Sequence, residues 1–184
     1  MPDLTKIITY LSSIIILSTV ASCNILRTKS KAEAMSTPPK HVNTSSRNKI
    51  EATTSIYAKK LIKTARDYTG VPYRSGGNDT NGLDCSGLLC ATFKEFGILL
   101  PRMSWQQSEF FPAIDIPNIQ KGDLVFFVTT GKNINHAGIV TEVRSEDDIV
   151  FIHASSSKGV IEDNLMKGYW KSRFARVCRP VFTK

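Results

Sequence analysis

A chain of 184 residues, 41% of them hydrophobic, is long enough for one domain of ordinary size with a buried core, and leaves room for a targeting segment. The net charge of +8 divides evenly, +4 on residues 24–54 and +4 on residues 55–184, so the presumed domain is only mildly basic. That balance suits an anionic envelope; with no zinc-finger spacing, basic recognition helix or aromatic–basic stripe, a nucleic-acid partner is not expected.

Lys6 precedes a run from Ile7 to Val20 that is too short and too rich in serine and threonine for a membrane span, which needs about 20 apolar residues. An early lysine, a short apolar run and small residues at its end predict a signal peptide over residues 1–22. Its ending, Val20-Ala21-Ser22-Cys23, resembles the lipobox of bacterial lipoproteins, which implies acylation of Cys23 and cleavage just before it. An uncleaved anchor with an incidental cysteine is the alternative. Asn24 stands where inner-membrane retention signals have aspartate, which points to the outer membrane, facing the periplasm. Residues 23–54 are rich in Ser, Thr, Lys, Asn and Pro and predict a flexible tether, with His41 a solvated bystander.

The domain is expected over residues 55–184, without internal repeats. Apolar residues at Ile56, Leu61, Ile62, Ala65 and Tyr68 have a helical period from Ser55 to Thr69, ended by Gly70 and Pro72. A Gly/Asn/Asp-rich loop runs from Arg74 to Gly82. Asp84 then suits an N-cap for a second helix reaching Phe96 and closed by Gly97, and Ser104 suits the cap of a short third helix through Phe111. Beyond Pro117 the texture becomes β-branched and aromatic, with strands predicted at Leu124–Val128, His136–Val143, Ile149–Ala154 and Phe174–Phe182. Gly122-Asp123 and Glu146-Asp147-Asp148 mark turns. Helices first and strands afterwards predict an α+β domain with helices packed on an antiparallel sheet.

Cys85 falls in the first turn of the second helix, where unpaired backbone N–H groups and the positive end of the dipole favour a thiolate and offer donors to an oxyanion. Ser86 and Gly87 are small enough to let a substrate approach the sulfur. By itself, a cysteine at a helix start is more often a buried thiol. The domain has two histidines, His136 and His153, each beside small residues in a strand-like run. A nucleophilic cysteine needs a base, and the base needs a group on its other nitrogen to fix its tautomer; one thiol and two imidazoles fill those roles, and so would two core histidines and no site. Cys90 and Cys178 either pair in an oxidising envelope or remain buried free thiols. A zinc site from Cys85, Cys90, His136 and His153 lacks any short ligand spacing. Neither metal nor other cofactor is expected.

Asp84-Cys85-Ser86-Gly87, His136-Ala137-Gly138-Ile139 and His153-Ala154-Ser155 resemble three signature blocks of the NlpC family of papain-like bacterial cysteine peptidases. Pro72-Tyr73-Arg74-Ser75-Gly76-Gly77, Leu100-Pro101-Arg102 and Lys121-Gly122-Asp123-Leu124-Val125-Phe126-Phe127 match further blocks in order. Gly168-Tyr169-Trp170 resembles the tail of the Gram-negative lipoprotein branch. The resemblance covers residues 56–181 and implies a papain-like fold and a monomer that hydrolyses peptidoglycan stem peptides or cross-links. It implies Cys85 as nucleophile, His136 as base and His153 as the group that orients it. Tyr73, with Asp84 and Ser86, would serve the oxyanion or substrate. A non-catalytic wall-binding lipoprotein, or an acyltransferase or amidase on the same scaffold, are the competing readings.

Overall fold

A computed structural model describes residues 44–182, with side chains from residue 52. The expected signal peptide, Cys23 and His41 lie outside the described residues. The first helix, α1 (Thr44–Arg66), begins well before Ser55. Residues 44–54, expected in the tether, are helical, and no proline or glycine interrupts the run from Lys40 to Thr69 to stop the helix extending beyond its apolar face. That face begins in earnest at Leu61, Ile62 and Ala65, which are buried.

The loop after α1 holds a two-residue hairpin, β1 (Asn78–Asp79) and β2 (Gly82–Leu83), and leads into α2 (Cys85–Lys94). Asp84 caps α2 as expected, its side chain accepting from the Gly87 N–H. The far end closes with the Gly97 N–H donating to the Lys94 carbonyl and the Ile98 N–H to that of Phe93. This Schellman arrangement needs the φ of +71° that Gly97 supplies. Helix α3 (Ser104–Phe110) is capped at Met103 without a side-chain bond, not at Ser104. Ser104 is buried inside the first turn, so packing overrides its capping propensity.

Short β3 (Ala113–Ile114) precedes β4 (Leu124–Phe127), β5 (His136–Ser145), β6 (Asp148–Ser155), β7 (Gly159–Asn164), the single turn α4 (Gly168–Lys171) and β8 (Phe174–Cys178). Six strands form one antiparallel sheet in the order β3-β8-β4-β5-β6-β7. The expected last strand stops at Cys178 rather than Phe182, because Arg179 turns to bind the buried Asp123 carboxylate and Pro180 removes a ladder donor. Strand β7 and α4 were not expected.

Central β4 is buried on both faces. Leu124 and Phe126 join Leu61, Leu88, Leu89 and Phe93 in a core between helices and sheet. Val125 and Phe127 join Val140, Phe151 and Leu165 on the opposite face, where Trp170 and Phe174 pack against them. The α+β architecture, helices on an antiparallel sheet, is as the sequence predicts. No helix among the described residues is long and apolar enough to cross a membrane.

Candidate active site

The start of α2 leaves four backbone N–H groups without helical partners. Asp84 N–H donates to the Gly77 carbonyl (3.2 Å) and Gly87 N–H to Asp84 Oδ1 (2.7 Å). The other two, of Cys85 and Ser86, turn toward the Cys85 sulfur, as does the Ala137 N–H from β5. The thiol donates to the Asn135 carbonyl at 3.7 Å. Both chain neighbours of His136 therefore touch the sulfur. Cys85 is only 7% exposed, yet it opens onto a cleft of about 420 Å³ shared with Tyr73, His136, His153, Tyr169 and Trp170. A groove of about 590 Å³ beside Ala58, Ile62, Ile119 and Arg179 contains neither that thiol nor a histidine.

Sheet register brings the two imidazoles together. Ile139 pairs with Ile152, which sets His136 and His153 diagonally on one face of adjacent strands. Their rings meet with His136 Nε2 3.0 Å from His153 Nδ1. Burial, helped by His153, pushes the His136 imidazole down to about 3, against a small opposing pull from the Asp84 charge. Burial also lowers His153, although its Asp163 partner opposes the shift. Burial raises the Cys85 thiol, the Asp84 charge adds to this, and the three N–H donors do not reverse it. At rest the cleft accordingly holds a neutral thiol and a neutral imidazole.

Tyr73 reaches the same cleft from the loop before β1, and burial and the neighbouring Cys85 raise its hydroxyl. Asp84 and Ser86 do not line it. Asp84 accepts from Gly87 N–H, Gly76 N–H, Ser86 Oγ and both Arg102 terminal nitrogens, the latter at 3.0 and 2.6 Å. Burial alone would raise the Asp84 carboxyl, but the Arg102 guanidinium and the two N–H groups outweigh it and hold the carboxyl below its ordinary value. Ser86 Oγ donates to Asp84 and accepts from Arg102 at 2.7 Å. The expected oxyanion or substrate role of these two side chains is therefore replaced by holding α2 in place. A carboxylate so surrounded has no donor to offer an oxyanion. Gly87, expected to ease approach to the sulfur, instead faces the Gly77 carbonyl, which a Cβ would meet at 1.9 Å.

Two contacts escaped the sequence. Asp163 on β7 lies 3.0 Å from His153 Nε2, and the Trp170 indole N–H donates to the same oxygen at 3.1 Å. Trp170 was visible only in a tail motif; Asp163 sat in a strand that the pattern did not reveal. Cys90 and Cys178 are free thiols, with Cys178 donating to the Ser108 carbonyl at 3.1 Å and Cys90 directed at the Leu100 and Pro101 carbonyls. Among the described residues no cluster of histidine, cysteine or carboxylate side chains is arranged to hold a metal ion.

Residues 70–179 match the model of the NlpC/P60 family. The chain is 38% identical over 116 residues to the murein DD-endopeptidase MepS/murein LD-carboxypeptidase of Escherichia coli, a match covering 62% of this chain and 58% of that protein. It is 40% identical over 111 residues to the probable endopeptidase NlpC of the same organism, covering 59% of this chain and 69% of the relative. A solved NlpC/P60 family protein from Bacillus cereus superposes with a TM-score of 0.60 at 30% identity, covering 66% of this chain and 39% of that one.

Proposed function

Because this chain belongs to the NlpC/P60 family, we propose that it is a cell-wall cysteine endopeptidase that hydrolyses amide bonds in the stem peptides or cross-links of peptidoglycan. The observation that carries this reading is the setting of one sulfur. Cys85 begins a helix, opens to a cleft, and is bracketed by the two neighbours of an imidazole whose far nitrogen is already taken by a second histidine. The relatives named murein DD-endopeptidase and probable endopeptidase support the substrate class.

In the proposed reaction, Cys85 Sγ attacks the amide carbonyl carbon while His136 takes the thiol proton. Negative charge collects on the carbonyl oxygen, where the N–H groups at the start of α2 and the Tyr73 hydroxyl serve as donors. Collapse breaks the C–N bond, and the proton passes from His136 to the leaving amine. Water then attacks the thioester, giving its proton to His136, and the carboxylic acid and the thiol are released. His153 holds the His136 ring throughout. Cys85→Ala should abolish release of soluble fragments from purified peptidoglycan while leaving the circular dichroism spectrum unchanged; retained release would reject the mechanism.

The same reading places the protein in the bacterial envelope. Residues 1–22 are the signal peptide in this proposal, and Cys23 carries the lipid that tethers the domain to the outer membrane, facing the periplasm, as a monomer. Replacing Cys23 by Ser should move the protein from the detergent phase to the aqueous phase on Triton X-114 partition, and an unchanged distribution would remove the anchor from the account.

A further inference from the structure

Three side chains form a diagonal line across three adjacent strands: His136 on β5, His153 on β6 and Asp163 on β7. Both gaps in the line measure 3.0 Å. Each gap needs one proton between its two heteroatoms. The first can be filled in two ways. Either His136 Nε2–H donates to a bare His153 Nδ1, or His153 Nδ1–H donates to a bare His136 Nε2. The two differ at the atom that matters for chemistry. In the first, His136 keeps Nδ1 unprotonated and able to accept a proton; in the second, Nδ1 carries the hydrogen and the ring is no base.

An ionised carboxylate only accepts. Asp163 therefore requires the single proton of a neutral His153 on Nε2, which leaves His153 Nδ1 bare, and that in turn requires the His136 proton on Nε2. We propose that Asp163 is a positioning residue that sets the tautomer of both imidazoles, so that His136 meets the Cys85 sulfur with an unprotonated Nδ1. The proposal rests on the reading of Cys85 and His136 as nucleophile and base.

Trp170 secures the acceptor end. Its indole N–H donates to the same Asp163 Oδ2 that faces His153. Its ring stacks on His136 (centroids 5.1 Å, planes 22° apart) and meets His153 edge-on at 4.7 Å. The shared oxygen is thus an acceptor for two donors at once. An asparagine at position 163 would be held with its amide oxygen, not its nitrogen, at that point.

The test reads the ring nitrogens of ¹⁵N-labelled full chain by two-dimensional NMR, alongside fragment release from purified peptidoglycan. The chain has three histidines, so the spectrum is assignable by single replacement. Wild type should show the Nε2–H form of both His136 and His153. Asp163→Ala should populate the Nδ1–H form of His136 and slow release at least about tenfold, as loss of a tautomer-fixing carboxylate does elsewhere. Asp163→Asn should keep the wild-type ring pattern and most of the rate. An Asp163→Ala protein with wild-type ring nitrogens or undiminished release overturns the proposal. So does an Asp163→Asn protein as slow as Asp163→Ala with its ring nitrogens unchanged, because charge rather than the acceptor would then be the active feature. Cys85→Ala separates the two levels: release by that variant rejects the thiol reading, whereas its inactivity beside a fully active Asp163→Ala rejects only the role of Asp163.

Discussion

Cys85 combines two opposed influences. The helix start offers N–H donors that favour a thiolate, while burial and the negative Asp84 beneath it favour the thiol, and burial wins. With the His136 imidazole pushed down to about 3, the proton has no stable place on the ring before substrate arrives. In the proposed reaction this means general-base catalysis, in which proton transfer accompanies attack, rather than reaction from a standing thiolate–imidazolium pair. Alkylation of Cys85 by iodoacetamide should consequently climb steadily between about pH 5 and about pH 9, because only the thiolate reacts. Peptide mass mapping after timed quenching would follow it. A rate already high and flat at the acid end would mean that the ion pair exists in the free protein.

Helix α2 is the element on which the site depends, and its position is held by backbone as much as by side chains. Asp84 binds the loop before β1 through Gly76 N–H and Gly77 C=O, and Arg102 closes the same knot from the segment before α3. Gln107 adds a tie from α3 to the Ser86 carbonyl at 3.0 Å. The helix can approach this loop so closely only because residue 87 lacks a side chain. In Gly87→Ala the new methyl would lie 1.9 Å from the Gly77 carbonyl oxygen, a backbone atom that cannot swing aside. Overpacking of this kind costs about 1–3 kcal/mol. Denaturant unfolding should register that loss, and fragment release should fall further than stability does, because the sulfur moves with the helix. Wild-type stability in Gly87→Ala would mean that the loop yields freely.

Over the whole molecule, one buried and one partly buried imidazole that fold in the neutral form make stability depend on acid. The sign follows from proton counts: below about pH 6.5 an unfolded histidine takes up a proton that the folded one resists, so the unfolded state binds more protons and stability falls as pH falls. The His136 contribution is fully present above its unfolded value and is lost between there and about 3. Its slope reaches about 1.4 kcal/mol per pH unit. His153 acts in the same direction. Asp84, held below its ordinary value, contributes stability above that value and adds its own loss at lower pH still. Urea midpoints should therefore drop between about pH 7 and about pH 5. His136→Ala should flatten part of that drop, and midpoints independent of pH across this range would contradict the neutral pair.

Much of this protein is written in local patterns. The α+β class, the caps at Asp84 and Gly97, the two histidine blocks and the cysteine at a helix start are all short-range patterns of residue type and spacing. They could be recognised because helix capping and strand periodicity depend on neighbours within a few positions. What escaped depended on distant partners. The side chains of Asp84 and Ser86 could be assigned only once Arg102 was seen across 18 and 16 positions. Strand β7 hides because Gly159–Asn164 ends in three polar residues, Glu162, Asp163 and Asn164, as an edge strand tolerates. Its Asp163 reaches His153 only through the β6–β7 register. The amino-acid sequence alone determined which groups this protein has for chemistry and on which kinds of element they sit. Tertiary structure alone decided how protons and charges are shared among them, because register and burial arise from the sheet as a whole and no single segment encodes them.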